Sequence, residues 1–289
     1  MQPFSIDFLK KLYLPPSDSH KGQNGKLMII GGSSLFHAAS LWALTIASRT
    51  VDMVFYASVK ENNAIVQDLK KEFRNGIVVP RNDIESYMRE AEAILIGPGM
   101  MRTKKVKREK GEVKSLQEIN LLEDEGEQSY FLTKYLLERY PEKKWIIDAG
   151  ALQMMELSWL EKLNGNVLLT PHQGEFAQVF GEQDEVGELA KKYNAIVLLK
   201  GEKDIVCSPE KCIEIAGGNA GMTKGGTGDV LAGLIAGLAT KNDLFLSAVA
   251  GSYFNKKAGD ALYEKMGLYF NASDLADEIP KIMKQLLLP

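Results

Sequence analysis

The stretch KWIIDAGALQMMELSWLEKLNGNVLLTPHQGEFAQVFGEQDEVGELAKKYNAIVLLKG, residues 144–201, contains three short apolar runs separated by segments of mixed polarity. Each run is rich in β-branched residues or leucine and ends in a glycine or proline turn. Nearly continuous apolar runs of this kind are typical of strands covered on both faces. Helical patterns occupy the intervening segments, at 151–163, 173–180 and 184–193. The alternation indicates parallel strands joined by helices.

The same alternation continues on both sides of this stretch. Four further apolar runs lie at 26–32, 52–58, 76–80 and 93–99, and three further helical segments at 36–50, 61–73 and 128–140. Residues 205–217 are typical of a hairpin with a Ser-Pro turn, and helices follow at 226–240, 243–265 and 271–287. No internal repeat and no linker divides the chain. The pattern predicts one α/β domain over residues 1–289, a three-layer sandwich whose mostly parallel central sheet is flanked by helices on both faces.

One segment has the length of a membrane span. Residues 28–48 carry no fixed charge, and about 20 apolar residues are enough to cross a bilayer. However, the turn Gly31-Gly32-Ser33-Ser34 and then His37 interrupt the run. A strand, a glycine turn and a buried helix therefore explain it better than a transmembrane helix.

Composition narrows the classes of function. The 289 residues are 45% hydrophobic and 25% charged, and 35 basic against 38 acidic residues give a net charge of −3. This excludes a disordered chain and provides no basic field for binding nucleic acid or an anionic membrane. The N-terminus lacks a signal-peptide pattern. Together with only two cysteines, this predicts a cytoplasmic protein.

The two cysteines flank a four-residue turn, Ser208-Pro209-Glu210-Lys211. This spacing brings Cys207 and Cys212 within bridging range across a hairpin. In a reducing compartment we nevertheless expect free thiols. Two thiolates without a nearby histidine are too few ligands for a metal site.

A charged segment at about 102–127 is out of character with the rest of the chain. Residues 102–114 hold seven Lys or Arg against two Glu, and 118–127 hold five acidic residues and no basic one. One interpretation is a solvated surface insertion whose halves attract each other. The other is a mobile flap over an anionic ligand, because the segment follows the turn Gly97-Pro98-Gly99. In either case we expect it to carry no catalytic group.

The strongest chemical signal is GGNAGMTKGGTGDVLAGLIAGLAT, residues 217–240. Glycines leave the backbone bare just before an apolar helix, where free N–H groups and the helix dipole attract anions. The predicted anion loop comprises Gly225, Gly226, Thr227 and Gly228. Asp229 lies in the first helical turn, where we expect it to be ionised at pH 7. Tight helix packing is the alternative reason for these glycines, and the segment matches neither a Walker A loop nor G-x-G-x-x-G.

Taken in order, several motifs resemble the ADP/ATP-dependent NAD(P)H-hydrate dehydratases of the ribokinase-like superfamily. They are HKGQNGKLMIIGGS (20–33), LIGPG (95–99), IIDAGAL (146–152), LLTPHQGEF (168–176), LLKG (198–201), KGGTGDVLAG (224–233) and ASDLADEIP (272–280). The resemblance implies a ribokinase-like fold and a metabolite-repair enzyme that returns hydrated NADH or NADPH to the intact cofactor. It also implies ADP or ATP as co-substrate, Mg²⁺ as expected for phosphoryl transfer, and a homo-oligomer. The length leaves room for one such domain and not for the epimerase often fused to it.

The resemblance also transfers roles to residues of this chain. The substrate-contacting positions of the family fall on Ala38, Gly99, His172 and Asp229. Its nucleotide site falls on Lys200, Gly201, Glu202, Lys203 and Asp204, with Gly228 closing the phosphate end. Asp229 would be the catalytic base. The metal ligands are not implied.

Three departures from the family pattern keep other functions open. His37 precedes Ala38 where the family usually has glycine, Thr50-Val51-Asp52 replaces Gly-Ala-Gly, and residues 248–260 lack a usual His-Gly pair. The alternatives are a kinase acting on a hydroxymethyl compound or sugar alcohol, and a catalytically silent nucleotide-binding homologue. The motifs LLTPHQGEF and IIDAGAL favour the dehydratase.

Overall fold

A computed structural model describes residues 1–103, 106, 113, 115–181 and 185–288. Ten strands form one sheet in the order β1-β10-β9-β8-β7-β6-β5-β2-β3-β4. Their bounds are β1 Gln2–Pro3, β2 Lys26–Ile30, β3 Met53–Ala57, β4 Ile77–Val78, β5 Ala93–Ile96, β6 Lys144–Ile147, β7 Val167–Leu169, β8 Ile196–Leu199, β9 Asp204–Cys207 and β10 Cys212–Ile215. Within this sheet β9 runs antiparallel to β8 and β10, and every other neighbouring pair is parallel.

The α-helices connect these strands and end the chain. Their bounds are α1 Ala38–Ala47, α2 Lys60–Leu69, α3 Ile84–Glu90, α4 Leu116–Asn120, α5 Glu125–Arg139, α6 Ala149–Met154, α7 Gln173–Phe180, α8 Val186–Lys192, α9 Thr227–Ala239, α10 Leu244–Met266 and α11 Ala272–Leu287. Short 3-10 helices lie at Ile6–Lys11, Arg81–Asp83, Leu157–Lys162 and Ala220–Thr223.

Alternate residues of each strand point to opposite faces of the sheet, and both faces are buried. In β6, Trp145 and Ile147 belong to a core shared with α3 and with the helices from α4 to α8. Ile146, between them, belongs to a second core shared with α1, α2, α9 and α10. The helix α11 packs outside that layer, against α10 and α9. The predicted three-layer sandwich is confirmed.

Most of the predicted elements are present. Each of the seven apolar runs contains a strand, 205–217 holds the β9–β10 hairpin, and the three C-terminal helices lie where the sequence places them. Residues 28–48 form β2, a turn and α1, as predicted. The sequence analysis did not predict α3, the short helix α4 or the short strand β1. No helix of the described residues is long and apolar enough to cross a bilayer.

The expectation of free thiols is corrected. Cys207 of β9 and Cys212 of β10 are directly paired in the antiparallel register, with their Cα atoms 4.1 Å apart. The two sulfurs form a disulfide. The hairpin thus does more than bring the cysteines within range, because it places them opposite each other on neighbouring strands.

The charged segment is described in part. Its acidic half forms α4 and the start of α5, where Glu125 Oε2 accepts a hydrogen bond of 3.1 Å from the Ser34 amide. Most of its basic half, including 107–112, lies outside the described residues. The surface-insertion and flap interpretations both remain predictions.

The position of α9 depends on a close approach to α1. A Cβ atom at Gly233 would lie 2.5 Å from the carbonyl oxygen and 2.6 Å from the Cα of Ala43. One turn later, a Cβ at Gly237 would strike the Thr50 side chain. The glycines let α9 pack against the α1 backbone, so part of the packing alternative weighed above is real.

We therefore expect Gly233→Ala to lower the free energy of unfolding. Overpacking costs about 1–3 kcal/mol, and the better helix propensity of alanine recovers at most about 1 kcal/mol. Chemical denaturation measures the difference. Gly174→Ala is the control, because a Cβ there meets the side-chain ring of His172, at 3.1 Å, and no backbone atom of another element. Equal stabilities for the two variants would contradict the backbone contact.

Candidate active site

Five parallel strands end at the same edge of the sheet, next to the start of α9. Ligands of open α/β sheets bind in the crevice outside the carboxyl ends of the strands. The residues that immediately follow β2, β5, β6, β7 and β8 are Gly31, Gly97, Asp148, Thr170 and Lys200.

A buried ion pair joins β6 to β8 across this edge. Lys200 Nζ donates to Asp148 Oδ1 at 3.0 Å, and Thr170 Oγ1 donates to the same oxygen at 2.8 Å. An added Cβ at Gly228 would lie 3.6 Å from Lys200 Nζ, which places the ammonium at the start of α9. Burial alone would lower the pKa of Lys200, but the surrounding carboxylates, Asp148 first, outweigh it and raise the pKa. The site thus holds a permanent cation.

Asp229, in the first turn of α9, does not titrate as the sequence suggests. Burial and then the charge of Asp148 raise its pKa, Lys200 only partly offsets them, and the resulting pKa is about 7. The expectation that Asp229 is fully ionised at pH 7 is therefore corrected, because its pKa lies near neutrality. The favourable helix dipole is outweighed by burial and by neighbouring negative charge.

The start of α7 presents His172. Its Nδ1 accepts from the Glu175 amide at 3.1 Å, and Glu175 Oε2 accepts from the His172 amide at 2.9 Å, which together form a capping box. Because Nδ1 is an acceptor, a neutral ring carries its proton on Nε2. The His172 side chain is 60% exposed, whereas Glu175 is buried and also accepts from Gln153 at 2.7 Å.

A cavity of about 740 Å³ opens between the β8–β9 turn, the loop before α9 and helix α10. Its walls include His172, Lys200, Gly201, Glu202, Asp204, Gly217, Gly218, Asn219, Ala220, Met222, Thr223, Thr227, Gly228, Leu231, Asn255 and Lys256. The structure thus brings most of the nucleotide residues implied by the resemblance to one cavity. Lys203 is different, because its Nζ bonds Glu214 Oε1 at 2.8 Å on the exposed side of the hairpin.

The β8–β9 turn is held by a lysine that the sequence analysis did not select. Lys256 Nζ donates to the carbonyl oxygens of Gly201, Glu202 and Gly217 at 3.1, 2.9 and 3.2 Å. It also lies 3.3 Å from Asp204 Oδ1, and both side chains are buried. Asp204 in turn accepts from the Gly201 amide at 3.0 Å. Asp204 therefore shapes the turn. The departure from the family pattern at 248–260 is the sequence feature that could have drawn attention to Lys256.

The loop before α9 shows which of its glycines are sterically required. Gly226 is the N-cap of α9 in the left-handed region, with φ 97°, and a Cβ there would collide with Trp42. Gly225 faces open space. Thr227 Oγ1 donates to the Met222 and Lys224 carbonyls at 2.6 and 2.9 Å, which fixes the entry to the helix. The Thr227 amide donates to the Lys224 carbonyl at 3.4 Å. The next two N–H groups, those of Gly228 and Asp229, have no backbone acceptor within the helix, as an anion loop requires.

Ala38 and Gly99 lie beside this cavity rather than in its wall. Gly99, with φ 71°, follows β5, and a Cβ there would lie 2.7 Å from the Phe36 carbonyl. Glycine is thus needed for the β5 turn to approach the start of α1, where Ala38 is the first residue. His37, the residue before Ala38, is held by α2, because its Nδ1 lies 3.1 Å from Asn62 Oδ1.

The departure at residues 50–52 lies at the opposite edge of the sheet, immediately before β3. Asp52 Oδ2 accepts from the amides of Gly22 and Asn24 at 2.7 and 3.0 Å. Asp52 organises the loop before β2 and does not reach the site. The silent-homologue interpretation loses that part of its support.

Known proteins similar to this chain identify its family. A family model described as NAD(P)H-hydrate dehydratase matches residues 27–281. An ADP-dependent (S)-NAD(P)H-hydrate dehydratase of Nitrosopumilus maritimus is 35% identical over 299 residues, covering 96% of this chain and 95% of the relative. A bifunctional NAD(P)H-hydrate repair enzyme of Methanocaldococcus jannaschii is 33% identical over 283 residues. This chain spans 51% of that relative's length.

Solved structures agree on the fold. The ADP/ATP-dependent NAD(P)H-hydrate dehydratase of Bacillus subtilis, co-crystallised with ATP and Mg²⁺, superposes with a TM-score of 0.78 at 22% identity over 99% of both chains. A ribokinase-like superfamily protein of Enterococcus faecalis gives 0.80 at 23% identity, covering 100% of this chain and 97% of that one. With the profile match and the archaeal relatives, these findings show that the chain belongs to the NAD(P)H-hydrate dehydratase family of ribokinase-like fold.

Proposed function

We propose that this protein dehydrates hydrated NADH or NADPH at the expense of ADP. The observation that carries the proposal is Asp229, a carboxyl with a pKa of about 7 in the first turn of α9, whose charge interacts with the Asp148–Lys200 pair. A general base is most effective when its pKa lies near the working pH. A cation and free N–H groups beside it suit a transferring phosphoryl group.

The reaction needs both features. The hydrate carries a hydroxyl on its reduced nicotinamide ring, and hydroxide is a poor leaving group. Asp229 takes the hydroxyl proton as the oxygen attacks the terminal phosphorus of ADP, and the bond to the AMP oxygen breaks. The ring-nitrogen lone pair then expels phosphate by cleavage of the C–O bond. Loss of a neighbouring C–H proton restores the ring double bond, so the products are NAD(P)H, AMP and phosphate.

The other residues of the edge have supporting roles in this proposal. Lys200 faces the transferring phosphoryl group, and Asp148 with Thr170 aims its ammonium. The backbone N–H groups of Gly226 and Gly228 supply donors at the start of α9, whereas that of Thr227 already bonds the Lys224 carbonyl. The nucleotide occupies the 740 Å³ cavity.

We place the hydrated ring on the other side of Asp229, towards Ala38, Gly99 and His172. Gly99 lies close to the residues before α1, and its lack of a side chain leaves its backbone available for contact with the ring. His172 is exposed at the shared edge and offers an Nε2–H donor.

We choose ADP over ATP as the proposed co-substrate because two relatives are named ADP-dependent. They come from Nitrosopumilus maritimus and Cenarchaeum symbiosum, and this chain matches both over most of their length. Mg²⁺ fits the site in a limited way. The described residues contain no cluster of three or more His, Cys, Asp or Glu side chains suited to a metal, but phosphate-bound Mg²⁺ commonly uses one or two carboxylates and water. Asp148 would hold it together with the nucleotide phosphates, and it would neutralise phosphate charge.

Asp229→Asn tests the base. We expect turnover of hydrated NADH to fall by about 10² to 10⁴, because the amide keeps the shape and cannot take the proton. ADP binding should stay within a few-fold. Turnover is followed by the absorbance of the restored dihydronicotinamide, and binding by calorimetry. Near-normal turnover would remove Asp229 from the mechanism.

Lys200→Ala is the complementary variant. Losing the cation at the phosphate end should raise the Kd of ADP by a larger factor than it lowers the turnover of the enzyme saturated with ADP.

If the wild-type protein leaves the hydrate untouched but phosphorylates a hydroxymethyl compound or sugar alcohol, the kinase alternative replaces the dehydratase.

The raised pKa of Asp229 also predicts a pH-dependent stability. Its native pKa of about 7 exceeds the ordinary aspartate pKa of 3.8, so between these values the folded state binds more protons than the unfolded state. The contribution of Asp229 to stability is therefore greatest at low pH and is lost as the pH rises to 7. Asp229→Asn should stabilise the protein by about 1–3 kcal/mol more at pH 8 than at pH 5, measured by urea unfolding.

Asp52→Asn is a control of opposite sign. Burial opposes its charge, but hydrogen bonds from Asn24 and Gly22 lower the pKa of Asp52 overall. Its contribution is present at neutral pH and is lost on acidification, so this variant should lose more stability at pH 8 than at low pH. If Asp229→Asn changed the free energy of unfolding equally at pH 5 and pH 8, the raised pKa of Asp229 would be contradicted.

A further inference from the structure

Helix α10 places an unpaired amide in the wall of the 740 Å³ cavity. Asn255 is 4% exposed, and its Oδ1 has no hydrogen-bond partner among the described residues. Leaving a buried polar group unsatisfied costs about 1–3 kcal/mol. Such a group in a native structure calls for an explanation. The oxygen itself has almost no accessible surface, but a half-turn about the last side-chain bond exchanges it with Nδ2, and Asn255 lines the cavity, which points to a ligand.

The polar neighbours of Asn255 on the same face of α10 are engaged within the protein. One turn before it, Ser252 Oγ donates to Asp204 Oδ2 at 2.7 Å. Lys256 is held by three carbonyls, and Asp260 Oδ1 accepts from the Gly218 amide at 2.8 Å. These contacts build the cavity wall, whereas the Asn255 amide adds nothing to it. Asn255 also lies in the segment 248–260 where this chain departs from the family pattern.

The cavity around Asn255 combines apolar and polar surfaces. Leu231, Met222 and Ala220 contribute to its walls. Leu231 lies three residues after Gly228 on α9, and so about 5 Å farther along the helix from the phosphate end. A flat aromatic group with hydrogen-bonding atoms at its edge suits such walls. A phosphate at one end and a flat heterocycle at the other describe a nucleotide.

We propose that Asn255 recognises the 6-amino edge of the adenine base. A carboxamide offers one acceptor and one donor side by side, and it pairs with the adenine 6-amino group and an adjacent ring nitrogen. This inference rests on the proposed nucleotide site and adds the residue that reads the base. A buried water molecule is the competing partner, and it would make Asn255 indifferent to the base.

The test compares ADP with purine riboside 5′-diphosphate, which lacks the 6-amino group. Calorimetric titration of the wild-type protein should give about tenfold weaker binding of the analogue, as expected for one lost hydrogen bond in a buried site. Asn255→Leu keeps the branched arrangement of the side-chain heavy atoms and removes both polar atoms. It should bind ADP about tenfold more weakly than wild type, and it should bind the two nucleotides within about twofold of each other. Its thermal midpoint should match or exceed that of wild type, because the amide has no protein partner to lose.

Asn242→Leu is the matched control. This buried asparagine donates to the Leu238 carbonyl and accepts from the Tyr13 amide, both at 2.8 Å. The control should lower the thermal midpoint and leave the preference for ADP unchanged.

Two results overturn the inference while leaving the proposed function intact. One is Asn255→Leu retaining the wild-type preference for ADP. The other is equal weakening for both nucleotides, which would make Asn255 a positioning residue. Failure of wild-type protein to bind ADP at all would instead remove the nucleotide site, and this inference with it.

Discussion

The contact between Lys200 and Asp148 organises the whole carboxyl edge of the sheet. It spans β6 to β8 over the intervening β7, whose Thr170 donates to the same carboxylate oxygen. A buried pair of this kind gains little for stability, because desolvation offsets the attraction. Its value lies in position, since it holds a cation at the start of α9 and a negative charge near Asp229. Burial is the largest cause of the raised pKa of Asp229, and without the charge of Asp148 the opposing effect of Lys200 would bring that pKa down from near neutrality.

The ion pair can influence Asp229 only if α9 begins next to Lys200. Close packing of α9 against α1 sets the position of its first turn. Gly226 rests against Trp42 of α1, and Gly233 rests against the Ala43 backbone one to two turns later. On the other side, Lys256 of α10 joins the β8–β9 turn to the loop before α9 through three carbonyls. The helices α1 and α10 thus hold the two sides of the site, and the sheet supplies its base.

Local patterns carry much of this structure and long-range contacts carry the rest. The apolar runs and glycine turns were enough to predict seven strands, the hairpin and the C-terminal helices, because each depends on neighbouring residues. The bond from Gln153 to Glu175 and the bonds from Lys256 to three carbonyls join different elements. The departure at 248–260 marks the segment of Lys256 but does not reveal these partners. The expected ionisation of Asp229 failed for the same reason, since helix position is visible in the sequence but burial beside Asp148 is not. The spacing of the cysteines was visible, and their directly opposed register was not.

Two groups of the site are held in states that do not favour the fold. Asp229 is half-buried near another carboxylate, which raises the free energy of its charged form. Asn255 is buried, and no described residue pairs with its carbonyl oxygen. Asn255 lines the cavity and Asp229 follows Gly228 of its wall, and a ligand donor would relieve each of them. Strain confined to a site in this way is expected where binding supplies what the fold leaves out. Because the surrounding polar groups are paired within the protein, a ligand meets a preformed site in which its own contacts are the ones still to be made.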